Sequence, residues 1–303
     1  RLFQIPEDPS DNKYNLLLIN EQDEIVGCNL FIKTKAKIYE IEKEVHWSHD
    51  LYVTEIHRGL DSIRLILREN AMRTSFGIGS TEINNLIQKA RNTNYISVAN
   101  SILIFNIWAA PVLVRKYLLR YKQMFFKNIY PDRLYIGNNY FEKINNVNNV
   151  NVPNDGYWFD GLDIDFVRDK HYLQNRFFNN FNNYYFYKLI NRNAIYDDCY
   201  FVVRPILQRG IPILSLVDFR FNLNNIKQFK LILKGASALA KMNRIGFVYF
   251  LTNLTIKKID LFPVAIRRNN KQETLTRYPF KSKPSLIITN ADHDIDFQAV
   301  SLQ

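Results

Sequence analysis

Residues 50–67, DLYVTEIHRGLDSIRLIL, have the composition of a ligand-binding turn. An apolar run, Leu51, Tyr52 and Val53, meets a charged stretch, then Arg58-Gly59, then apolar residues at helical spacing. A strand that passes through a glycine turn into a helix leaves unpaired amides at the helix start. Those amides and the helix dipole favour an anion such as phosphate, and glycine lets backbone come close to it. Just upstream, HWSHD places His46 and His49 three residues apart. On a strand these side chains point to opposite faces, so the pair is not expected to chelate a metal. Gly77 and Gly79 in FGIGST lack the lysine of a P-loop, and the run is too short for a dinucleotide fingerprint. Near the end, ADHDIDF stacks Asp292, Asp294 and Asp296 on one face if it is extended, which reads as a solvated strand edge or a cation site. FFNNFNNYYFY, residues 177–187, reads as core aromatics in preference to a base-stacking platform.

The whole chain bounds these readings. Its 303 residues suit two domains, and 47% hydrophobic with 14% aromatic residues supply real cores. No apolar run approaches the roughly 20 residues of a membrane span; the stretch 102–114 is broken by Asn106 and Pro111. The chain begins at Arg1, not Met, so a lost leader stays open. Cys28 and Cys199 form neither a disulfide framework nor a zinc pattern, and read as buried free thiols in a reducing, cytoplasmic compartment. Forty basic against 29 acidic residues give a net charge of +11, which favours polyanions. The basic residues read as scattered, for example Lys33, Lys35 and Lys37, then Arg115, Lys116, Arg120 and Lys122.

The elements that must position these residues follow from patterning. Strands are expected at 14–20, 25–41 and 49–56, a helix at 60–73 and a short strand at 74–81. A helix capped by Ser80 or Thr81 follows, then one or two strands at 95–107. A basic amphipathic helix is expected from Pro111. EKINNVNNVNVPND, residues 142–155, has little to bury and reads as a linker. Beyond it, CYFVVRPI and RGIPILSLVDFRF read as strands, NNIKQFKLILKGASALAKMN as a helix, and IGFVYFL as a buried strand. A short helix, TIKKIDLF, and strands VAIRRN and SLIITNADHDIDF close the chain.

This order, with Val53 ahead of HRGLDS, resembles the GNAT superfamily of acyl-coenzyme A acyltransferases over about residues 14–110, and in element order alone over about 160–300. It looks most like the tandem members. RDKHYLQNRFFNNFNNYYFYKL, residues 168–189, is similar to the segment that opens their second unit. The resemblance implies an α/β fold of two tandem GNAT-like units, each a mixed, mostly antiparallel central sheet flanked by helices. The expected boundaries are 1–141, a 142–155 linker, and 156–303. It further implies an acyltransferase, not an aminoacyl transferase, with acetyl-coenzyme A or another acyl-coenzyme A as co-substrate and no metal. The implied acceptor is an amine or hydroxyl of a small molecule, such as a sugar nucleotide or a precursor of cell envelope, polysaccharide or natural product. Two rivals stay open. One is a Fem-type transferase fed by aminoacyl-tRNA, a nucleic-acid partner that the +11 charge suits. The other is a non-catalytic tandem GNAT acting as a binding module.

The family signature, Arg/Gln-x-x-Gly-x-Gly/Ala and often Arg-Gly-x-Gly-x-Gly, binds the coenzyme A pyrophosphate through backbone amides. Here Arg58 and Gly59 match, while Asp61 and Ile63 stand in glycine slots. The implied cofactor-binding residues are Arg58, Gly59, Leu60, Asp61, Ser62 and Ile63, with Asn85 or its neighbour Asn84 on the pantetheine arm. Val53 or a neighbour would offer a backbone amide to the thioester. The family's tyrosine acid is absent, since Ala90 to Asn92 occupy its place. Glu44, His49, Asp50 and Glu55 stay open as the catalytic base, and His is suited to such proton work near neutral pH. DFRFNLNNIKQ, at the corresponding turn of the C-terminal unit, has no glycine, so that unit is expected to shape the acceptor pocket and not to bind coenzyme A.

Overall fold

A computed structural model describes residues 16–20, 22–57, 75–80, 94–105, 127–153, 156–157, 159, 161–179, 183–190, 199–208, 211–254, 264–276, 284–292 and 300–301. In chain order its strands begin with β1 (Leu16–Ile19), β2 (Ile25–Ile38), β3 (Ile41–Val53), β4 (Ser75–Ser80) and β5 (Asn94–Phe105). Next come β6 (Arg133–Ile136), β7 (Asn139–Ile144), β8 (Ile164–Phe166) and a short helix α1 (Lys170–Leu173). Then follow β9 (Tyr185–Leu189), β10 (Tyr200–Gln208), β11 (Ile211–Arg220), helix α2 (Ile226–Met242), β12 (Phe247–Thr252), β13 (Val264–Thr276) and β14 (Val300–Ser301).

The chain divides into two compact units. Unit 1 holds residues 1–99, 162–167 and 271–286; unit 2 holds 100–161, 168–270 and 287–303. In unit 1 the sheet runs β1-β2-β3-β4, with the end of β13 antiparallel on β4 and β8 antiparallel on β2. The long β2–β3 hairpin follows from strict alternation. Lys33 and Lys35 form cross-strand ion pairs with Glu44 and Glu42, Lys37 pairs with Glu40 in the turn, and Ala36, Ile38, Val45 and Trp47 are buried. Trp47 packs with Phe76 and Phe166.

The hairpin turns at Tyr39-Glu40, where 25–41 was expected as one strand. Both residues have positive φ, 47° and 66°, in a two-residue turn of the kind that prefers Asn-Gly, so no turn residue announces it. The strain makes a prediction. Glu40→Gly should raise stability by about 0.5–1 kcal/mol, offset in part by the lost Lys37 ion pair. A urea midpoint lower than wild type would contradict this.

In unit 2 the sheet runs β5-β12-β11-β10-β9-β7-β6, with β14 on β10. α2 packs through Phe229, Ile232, Leu233, Ala236, Leu239 and Ala240, the apolar stripe that its sequence carries. Phe229 meets Phe219, Phe221 and Phe250. Within the aromatic run 177–187, Phe177 and Phe186 are buried beside Tyr200, and Tyr187 stacks on Phe201. Residues 142–155, expected as a linker, contribute the end of β7 and two buried valines, Val147 and Val150. Of residues 285–297, expected as a strand, 285–292 form an irregular run closed by a 3-10 turn at Asn290–Asp292. Their shape is set by side-chain tethers that no local pattern encodes. Among the described residues no helix is long and apolar enough to cross a membrane. The expected helices at 60–73, 82–92, 111–126 and 255–262 lie outside the described residues.

Candidate active site

The sequence-derived positions His49, Asp50 and Val53 lie together at the carboxyl end of β3, and Glu55 follows in a 3-10 turn, Glu55–His57. That turn is fixed from three sides. The Thr54 N–H donates to Val26 O at 2.8 Å, the His57 N–H donates to Thr54 O at 3.0 Å, and Thr54 Oγ1 lies 2.9 Å from His57 Nδ1. Val53 is buried and pairs with Gly27, where an added Cβ would come within 2.9 Å of Tyr52 O. Only glycine admits β2 this close to the end of β3. Glu55 is exposed and Ile56 is 93% exposed, so the chain leaves the sheet at its surface immediately before Arg58.

Two register features single out this end. β3 and β4 are parallel and pair over His46↔Ser75, Trp47↔Phe76 and Ser48↔Gly77. Beyond that point both strands run on, to Val53 and Ser80, held by β2 and β13 on their outer sides and no longer by each other. Two residues past the last pair comes a β-bulge. Leu30 pairs with His49 and Asn29 with Leu51, which leaves Asp50 as the extra residue. Parallel strands that part at their carboxyl ends open a crevice suited to ligands, and bulges beside such crevices re-aim side chains and amides.

Unit 2 repeats this geometry. β11 and β12 are parallel and pair over Leu214↔Val248 and Ser215↔Tyr249. Two residues past Ser215 the register against β10 leaves Val217 as the extra residue. Here, however, the chain fills its own opening. Asn290 Nδ2 donates to Leu216 O at 3.1 Å and to Ser215 Oγ at 3.0 Å, and the Ile288 N–H donates to Asn253 Oδ1 just past β12. The 3-10 turn Asn290–Asp292 thus lies against both strands where they separate.

An ionic network pins that turn. Arg168 is fully buried; its Nε donates to Asp218 Oδ2 at 3.1 Å and its Nη2 to Asp292 Oδ1. The Thr289 Oγ1–H donates to Asp218 Oδ1 at 2.9 Å, and the Tyr200 O–H to Asp218 Oδ2 at 3.0 Å. Arg168 also lies over the Tyr172 ring at 4.5 Å, and Arg220 approaches Asp218 at 3.7 Å. Burial acts to raise the Asp218 carboxyl, but Arg168 and Arg220, with hydrogen bonds from Arg168 and Thr289, outweigh it and hold the group below the usual carboxylate range. Burial acts to lower the Arg168 guanidinium, and the two aspartates reverse that. Burial pushes the Tyr172 hydroxyl up to about 12. Arg168, Asp218, Asp292, Thr289 and Tyr200 are tied to one another, which makes the network a clamp on the turn. Asp292, read as part of a solvated edge, is buried within it. Asp294 and Asp296 lie outside the described residues.

No family model and no curated protein matches the sequence. Solved structures do. N-myristoyltransferase of Saccharomyces cerevisiae, solved with bound myristoyl-CoA and inhibitors, aligns at a TM-score of 0.53 and 9% identity over 85% of this chain and 66% of its own. A protein of Enterococcus faecalis V583 described as a probable N-acyltransferase aligns at 0.50 and 9% identity over 86% of this chain and 61% of its own. The fold is that of the GNAT superfamily. The chain spans about two thirds of the length of these GNAT-like structures.

His49, Asp50 and Val53 belong to the last five residues of β3 and Glu55 to the turn after it, while Arg58, Gly59, Leu60, Asp61, Ser62, Ile63 and Asn85 lie outside the described residues. Glu44 lies five residues before His49 on the same strand, and its carboxylate is 2.9 Å from Lys33 Nζ. Sequence reading passed over His57, half-buried at the foot of the turn, although the Thr54-x-x-His57 spacing is that of a side-chain-locked turn. It also missed the clamp. A lone Asp218 inside the apolar strand IPILSLVDF was its signal, since a charge in a fully buried strand requires a buried partner.

Proposed function

We propose that the chain is an acyltransferase whose first unit takes its acyl group from acyl-coenzyme A at the carboxyl end of β3. The observation that carries this reading is the β3–β4 pair, which separates past Ser48/Gly77 with a bulge at Asp50 immediately beyond. The pantetheine arm would enter where the strands part. A β3 amide near Val53 would polarise the thioester carbonyl, and the turn at Arg58-Gly59 would hold the pyrophosphate. A base would take the proton of the acceptor amine or hydroxyl. The freed nucleophile would then attack the thioester carbon, the C–S bond would break, and the thiolate would leave as coenzyme A. We assign that base to His49, Asp50 or Glu55, which belong to the end of β3 and the turn after it. The acceptor we assign is a small amine or hydroxyl, such as that of an amino-sugar nucleotide, in the cytoplasm.

We further infer that the two units are diverged copies. An antiparallel hairpin, a crossover, a short parallel ladder and a bulge two residues past its last pair occur in both. In the second copy residues 287–292 take the place of a donor, which supports a role for that unit on the acceptor side.

Release of free thiol from acetyl- and longer acyl-coenzyme A, in the presence of a panel of amines that includes nucleotide-linked amino sugars, tests the reading. One of His49→Gln, Asp50→Asn and Glu55→Gln should lower turnover about 10²–10⁴-fold. Glu44→Gln should change turnover little and stability by less than about 1 kcal/mol. Loss of turnover in Glu44→Gln alone, or no thiol release with any pair of substrates, would sink the assignment.

A further inference from the structure

A threonine in a tight turn ordinarily directs its hydroxyl to a backbone N–H of that turn. Thr54 does otherwise. Its carbonyl accepts from the His57 N–H at 3.0 Å and its own N–H donates to Val26 O at 2.8 Å, so backbone bonds already close the turn and tie it to β2. The hydroxyl is left to hold a side chain: Thr54 Oγ1 lies 2.9 Å from His57 Nδ1. Only that edge of the ring is engaged. Among the described residues His57 Nε2 has no hydrogen-bond partner, and the residue is half-buried, so the ring is held yet still meets solvent. In the tautomer that accepts the Thr54 O–H at Nδ1, and in the imidazolium that donates there, Nε2 carries a hydrogen and can donate it.

His57 immediately precedes Arg58-Gly59, about 3.8 Å along the chain, and that turn is where the acyl-transfer reading puts the coenzyme A pyrophosphate. We propose that His57 is a further ligand of that pyrophosphate, donating from Nε2 to one of its oxygens while Thr54 positions the ring. The assignment rests on the acyl-coenzyme A reading. A ring already held by a hydrogen bond needs little further ordering when it binds, and a phosphate oxygen makes a stronger acceptor than a neutral one. His57 also offers what the signature lacks here. Asp61 and Ile63 stand where glycines would bring backbone close to phosphate, and a side-chain donor just ahead of Arg58 compensates for that loss. The acidic residue of the turn, Glu55, is exposed and, at about 120° per residue, falls on a different side of it from His57.

Calorimetric titration of the full chain with coenzyme A, dephospho-coenzyme A and pantetheine tests the assignment. His57→Phe, which keeps a ring and loses both nitrogens, should raise the dissociation constant of coenzyme A about tenfold. Dephospho-coenzyme A keeps the pyrophosphate and should lose as much, while pantetheine, with no phosphate, should bind the variant as it binds wild type. His57→Gln, whose amide nitrogen can stand near the place of Nε2, should recover most of the affinity. Thr54→Val, similar in shape but without the hydroxyl, should release the ring and weaken coenzyme A about threefold. A loss seen with coenzyme A and absent with dephospho-coenzyme A would overturn the assignment in favour of the 3′-phosphate. Equal loss with pantetheine, or no recovery in His57→Gln, would make His57 a prop of the turn and overturn it as well. Equal binding of coenzyme A by wild type and His57→Phe would overturn the assignment and leave the donor reading standing, whereas no binding to wild type would remove both.

Discussion

Arg168→Ala should destabilise the protein by about 3–5 kcal/mol, a large part of the 5–15 kcal/mol that holds typical domains folded. The substitution strands Asp218 and Asp292, both buried, without the cation that each was folded around. Asp218→Ala should cost a similar amount by stranding Arg168 and orphaning the hydroxyls of Thr289 and Tyr200. The double variant should cost less than the two singles together, by about 0.5–3 kcal/mol, because each single already breaks the shared contact. Urea denaturation of the four proteins closes this cycle. Additive losses would mean that the network is not a unit.

Acid should act on the same clamp. The folded Asp218 carboxyl lies below its unfolded value of about 3.9, so its stabilisation is complete above about pH 4 and is lost as pH falls through the folded value. Stability measured downward from about pH 5 should therefore fall less steeply in Asp218→Ala than in wild type. A parallel decline in both would assign the acid sensitivity to other groups.

The second large effect is expected at the donor site. Arg58→Glu should raise the dissociation constant for coenzyme A about 10- to 100-fold, equivalent to about 1.4–2.8 kcal/mol, because a carboxylate would replace a cation beside the pyrophosphate. The melting temperature should not change, which separates loss of binding from loss of fold. Asp61→Gly, which would restore a glycine to the signature, should act in the opposite direction by removing a side chain and a like charge. Equal affinity in wild type and Arg58→Glu would place the phosphate elsewhere.

The fold was legible where burial writes a local period. The alternation of β2 and β3, the apolar run of β11 and the stripe of α2 all point to their elements without help from the rest of the chain. Other features were hidden for physical reasons. Tyr39 and Glu40 turn the chain with residue types that rarely take positive φ. Residues 284–292 take their path from Arg168 and Asp218, more than 60 residues away, and from Asp163, whose carboxylate accepts from the N–H and the hydroxyl of Ser285. No window along the sequence contains both partners. The bulge at Asp50 is likewise a property of the pairing between strands, invisible in either strand alone. For the candidate site, His49, Asp50, Val53 and Glu55 follow one another along the chain, so their nearness at the end of β3 and in the turn after it was legible. Glu44 lies earlier on the same strand, in an ion pair with Lys33 that only the register between β2 and β3 reveals.

Calorimetric titration of wild type with coenzyme A tests the central claim most directly. One site per chain with a micromolar dissociation constant, worth about 8 kcal/mol, is the predicted result, since unit 1 opens between β3 and β4 while unit 2 is filled by its own residues. No binding at either low or moderate salt would contradict an acyl-coenzyme A donor, and two sites per chain would contradict the closed second unit.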